Sequence, residues 1–208
     1  MPETNNSEKP SPWIFDLAAI LSLVGTSVYL SGWTYAYHYF YRFGLGLLEL
    51  NIPDQYFLIY GLWIYKAWWW LFIAFYGLSI FFVKKLYILA KTQNYVSHFV
   101  RLTQIGIVIA VFFLSCALAR KEALDFYETQ QSMDFSASPR IRVWTKQTTS
   151  KNPLLKRFYK AVPDGEHRLI LQNQERLYLI APPRDGKPAR IAVSVIPLAN
   201  IEAWRVLP

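Results

Sequence analysis

Arg120–Thr145, RKEALDFYETQQSMDFSASPRIRVWT, holds the change of pattern on which the fold turns. Glu122 to Met133 has helical composition and is polar, whereas the residues before Arg120 are almost wholly apolar. Ser136-Ala137-Ser138-Pro139 is a breaker and a domain boundary. Beyond it Ile141 and Val143 alternate with Arg140, Arg142 and Trp144, the two-residue period of a strand.

Upstream, three apolar stretches predict about three transmembrane helices, over 12–42, 56–85 and 101–119. Residues 1–11 are polar and expected to be disordered, and 12–119 forms the helical region. Ser11-Pro12-Trp13 opens the first helix, with proline where a missing N–H costs nothing. Tyr29, Trp33, Tyr37 and Tyr41 repeat every fourth residue and form one stripe, and Phe43-Gly44 is a stop. In the second stretch Ala67–Val83 is the spanning part, with Lys66, Trp68, Trp69 and Trp70 as one boundary belt and Lys84-Lys85 as the other. Ile105–Leu118 is the apolar heart of the third, and residues 120–138 form a helical stalk and linker.

Downstream, residues 139–208 predict four to six short strands. Leu169 and Leu171, then Leu177–Ile180, then Ile191, Val193 and Val195 are the further apolar runs, separated by turns at Asn173–Arg176 and Asp185-Gly186. Pro197–Asn200 reads as one helical turn before a closing strand Ile201–Leu207. The expected fold class is thus a membrane α-helical region followed by a small all-β domain. In strand spacing and the late turn this domain resembles an SH3-like or Sm-like barrel, a likeness that implies no activity.

Hydrophobic residues make up 53% of the 208, and charged residues 17%, below the ~25% common in soluble proteins. The net charge is +8, and 15 of the 22 basic residues fall from Arg120 onward, against 9 of the 14 acids. A basic domain could meet acidic headgroups or a polyanion, although no tight cluster is evident; Lys151, Lys156, Arg157 and Lys160 come closest. The basic and aromatic residues of 140–160 alternate, which assigns many of them to opposite sheet faces, so nucleic acid is not an expected partner. Lys84, Lys85, Lys91 and Arg101 face Arg42, Arg120 and Lys121 in the charge count across a membrane. That count places the N-terminus in the cytoplasm and the β domain outside, in a plasma or bacterial inner membrane. The expected partners are the lipid bilayer, other proteins and further copies of the chain.

Lys66, Asp16, Glu49 and His38 are the candidate intramembrane or interfacial polar residues, because a buried lysine in lipid costs roughly 2.5–3.5 kcal/mol. Lys66 could pair with Asp16 or Glu49, or extend to the boundary. His38 lies among Tyr35, Tyr37, Tyr39 and Tyr41 with no second ligand at metal spacing. Gly106, Ala110 and Gly77 are candidate helix-packing positions. His98 and His167 read as isolated loop residues. Cys116, the one cysteine, lies in an apolar helix, where burial leaves a thiol inert. No GxSxG, HExxH, P-loop or paired-carboxylate pattern is present, so no catalytic residue, metal or cofactor is expected.

The expected function is that of a binding or assembly subunit of a membrane complex, acting through the β domain. A sensor–effector whose β domain binds a ligand, and a channel or transporter component, are the alternatives.

Overall fold

The computed structural model describes residues 12–90, 96–146, 152–182 and 191–207. The expected disordered segment 1–11, the Asp185-Gly186 turn, Lys91 and Lys151 lie outside these. Two compact units account for the described chain: residues up to Tyr35 with Asp54–Ala119, and Ala36–Pro53 with Arg120 onward.

Four helices supply the first unit. They are α1 (Pro12–Tyr41, whose last turns belong to the second unit), α2 (Asp54–Ala67), α3 (Trp69–Ala90) and α4 (Val96–Ser132, through Ala119). α1 and α2 approach so closely at Gly32 and Gly61 that a β-carbon on Gly32 would strike the Phe57 carbonyl, and one on Gly61 the Val28 carbonyl. Glycine is required at both positions for that approach. Ser27 Oγ lies 2.6 Å from Tyr65 Oη and 3.2 Å from Ser115 Oγ, so a buried polar contact ties α1, α2 and α4. Between α2 and α3 the axis bends by 71° at Trp68. Tyr65 and Phe72 stack across the bend at 4.3 Å.

These helices overturn the three-span reading. Among the described residues no single helix is long and apolar enough to cross a membrane. Only the bent pair Asp54–Ala67 with Trp69–Phe75 passes, on length and composition alone. The physical reasons are local. α1 carries Thr26, Ser27, Ser31 and Thr34, with Ser27 and Ser31 at buried positions. α2 has 14 residues. In α4 the apolar run Ile105–Leu118 is bounded by Thr103 and Gln104 on one side and by Arg120 and Lys121 on the other. The membrane localisation and the transmembrane, inner-membrane assignments built on those spans are withdrawn with them.

The second unit is built on an antiparallel sheet of β1 (Arg140–Thr145), β2 (His167–Gln172), β3 (Arg176–Ile180), β4 (Val193–Pro197) and β5 (Ile201–Leu207). The strand order is β4-β3-β2-β1-β5. A 3₁₀ turn, Leu198–Asn200, joins β4 to β5, yet they occupy opposite edges and do not pair. The sheet is therefore open, which corrects the barrel expectation. Pro197, lacking an N–H, ends the β4 ladder, and the chain then crosses to β1.

All-β is also corrected, because α5 (Pro153–Ala161) intervenes between β1 and β2. Asn152 caps it, its Oδ1 accepting the Leu154 N–H at 2.9 Å, and Pro153 occupies the first turn. Phe158 of α5 and Val162 pack with Ile141, Val143, Leu177, Leu179 and Ile196 on one sheet face. The other face of β3 and β4 is covered by Phe43, Tyr127 and Phe135, packed with Ile180 and Ile191. β3 is thus buried on both sides, and Leu177–Ile180 reads as a continuous apolar run. Asn173 Nδ2 donates to the Leu50 carbonyl at 2.8 Å, and Tyr178 Oη to that of Glu49 at 3.4 Å.

Candidate binding face and cleft

The register of β1 decides what lies beside it. Ile141 is paired with Val206 and Val143 with Trp204, so these four share one face. Ile141 and Val143 are wholly buried, whereas Trp204 is 40% exposed and Val206 is 45% exposed. The core under α5 and Val162 takes in Ile201 at the start of β5, but further along that edge strand Trp204 and Val206 are left partly exposed. Among the described residues β5 pairs with β1 alone, so every second residue of β5 turns its N–H and C=O away from the sheet.

On the opposite face the same register gathers arginines. Arg140 is the partner of Arg168 on β2, and Arg142 is the partner of Arg205 on β5. Trp144, two residues beyond Arg142, lies on that face and is 40% exposed. Arg168 is braced: its Nη1 donates to the carbonyls of Ser138 at 2.9 Å and Ser136 at 3.3 Å. Burial and the neighbouring Arg140 lower its pKa, against the opposing pull of Asp134. None of the four arginines is ion-paired among the described residues, where Arg42–Glu128 is the salt bridge found. Like charges directly opposite on a sheet cost roughly 0.2–1 kcal/mol per pair, and here two pairs stand side by side.

Asp134, Arg140, Asp164, Glu166, His167 and Arg168 line a cleft of about 650 Å³ at this end of the sheet. Asp164 and Glu166 flank Gly165, whose φ of +78° is the left-handed value that glycine tolerates. His167 is no loop residue: it begins β2, is buried, and meets Phe158 edge-on at 5.7 Å. Its Nδ1 is buried and has no hydrogen-bond partner among the described residues. Burial lowers its pKa, with Glu166 and Asp164 opposing, so the imidazole is neutral at neutral pH.

The residues singled out from sequence do not converge. Lys66 is exposed in the last turn of α2, where a cation suits the helix dipole. Asp16 belongs to α1, and its side chain lies outside the described residues. Glu49 is exposed in the 3₁₀ turn Leu47–Leu50. His38 is half-buried against Tyr37, its pKa lowered by burial and then by Arg120. Among the described residues nothing lies within 4 Å of the β-carbon position of Gly77 or Gly106, and Ala110 is exposed. Gly32 and Gly61, unremarked in sequence, make the close approach instead. Among the described residues no group of His, Cys, Asp and Glu could hold a metal ion.

No protein-family model, curated protein or solved structure matches the chain.

Proposed function

We propose that the chain is a non-enzymatic, self-associating binding subunit in which β4 of one copy adds to the β5 edge of the next. One observation carries this reading: among the described residues β5 is bonded on one side only, and Trp204 and Val206 on its core-side face are partly exposed. An added strand would satisfy the outward backbone groups and bury both side chains. β4 suits that role because it bears no charge and is, among the described residues, the other edge of the sheet. Two β5 edges meeting each other would instead bring two Arg205 side chains to the seam. A β4-to-β5 contact is head-to-tail, so successive copies form a ring or a filament.

Hydrogen exchange at rising protein concentration tests this. Amides of β4 and β5 gaining protection together supports the reading. Exchange that ignores concentration, or β5 protected only by a different protein, rejects it.

A further inference from the structure

The arginine face has a chemistry that edge pairing leaves unused. Arg140, Arg142 and Arg205 are exposed, Arg168 is braced behind them, and Trp144 lies in the same row as Arg140 and Arg142. Residues two apart on a strand are about 6.7 Å apart, and cross-strand partners are closer, so Arg140, Arg142 and Arg205 stand as neighbours on one sheet face. Asp134, Asp164 and Glu166 line the adjoining cleft with Arg140 and Arg168, but among the described residues none of them forms a salt bridge with these arginines. An arrangement that places like charges opposite one another twice is relieved by an anion spanning them, and guanidinium forks match phosphate oxygens. A phosphate alone would leave Trp144 idle. A ring beside guanidinium groups on an open sheet offers a base a stacking surface while the arginines hold the backbone.

We infer that this face binds single-stranded nucleic acid, with Arg140, Arg142 and Arg205 on phosphates and Trp144 stacking on a base. The alternation along β1 is what gathers these groups, because residues 140, 142 and 144 share a parity. Sequence independence is expected, since neither contact reads base edges. The inference does not require self-association, as the strand edge and the sheet face are separate surfaces.

Fluorescence anisotropy of the full chain with a labelled, mixed-sequence single-stranded RNA tests it. Binding should weaken with salt along a log–log slope of roughly −2 to −3, from three or four neutralised phosphates. R142A with R205A should reduce the steepness by about 1.4 and the affinity by at least about tenfold. W144A should lose about tenfold, and W144F should keep most of the affinity because a phenyl ring still stacks. Circular dichroism matching the parent establishes that each variant is folded. No binding at low salt overturns the inference. So does equal binding by W144A and the parent, with heparin competing as well as RNA, which would leave a charged patch only. Binding to anionic vesicles without binding to RNA overturns it as well.

Discussion

Val143 and Trp204 face each other across the β1–β5 pair, yet Val143 is fully buried and Trp204 is 40% exposed. The sheet thus carries its core face beyond its cover along the later part of β5, although Ile201 at the start of that strand is buried. An apolar margin beside unpaired backbone is the usual substrate for strand addition. Most of what can be tested about this protein follows from that margin and from a few tightly packed positions elsewhere.

Gly61→Ala should destabilise the helical unit by about 1–3 kcal/mol or more, since the new methyl meets the Val28 carbonyl and backbone must move. Gly106→Ala has open space and should stabilise by about 0.5–1 kcal/mol, as helix propensity dictates. Urea unfolding of the two variants separates a contact glycine from an idle one. Equal effects would contradict the close α1–α2 approach.

Leu179→Ala should cost about 2–5 kcal/mol, because Leu179 is wholly buried on the face covered by α5. Leu154→Ala, on the exposed side of α5 at 72% exposure, should stay within about 0.5 kcal/mol. Asn152→Ala, which removes the α5 cap, should cost about 1 kcal/mol. Thermal melts rank the three, and a costly Leu154→Ala would place α5 wrongly.

How far sequence carries here depends on the element. The strands were legible because single-residue alternation survives in β1, and because Pro197–Asn200 announces a turn before Ile201–Leu207. α5 is less legible, because the helical spacing of Leu154, Leu155, Phe158 and Tyr159 is interleaved with Lys151, Lys156, Arg157 and Lys160 in a segment of only nine helical residues. The helices were legible as helices, but hydropathy overstated their spans, since Ser27 and Ser31 sit at buried positions and the chain bends at Trp68. The arginine face was hidden because cross-strand partners such as Arg142 and Arg205 are 63 residues apart in sequence, and only the register joins them. Gly32 and Gly61 carry no local mark that distinguishes them from Gly77 or Gly106.

His167 should make the sheet unit acid-sensitive. Its folded pKa lies below the ordinary 6.5, so the unfolded chain binds more protons as pH falls through that value. Stability is therefore full above about 6.5 and declines below it, with Glu166 and Asp164 moderating the loss. His167→Leu should flatten the decline that begins below about pH 6.5 when stability is followed by denaturant titration. An unchanged pH slope in the variant would show that another group governs acid unfolding.

Sedimentation velocity of the parent chain and of Trp204→Lys, over a range of concentrations, tests the central claim most directly. A charge at this partly exposed edge position opposes strand addition and leaves every wholly buried side chain unchanged. The parent should assemble as concentration rises, and the variant should remain at single-copy mass with matching circular dichroism. Parent and variant sedimenting alike, whether both assemble or neither does, would contradict it.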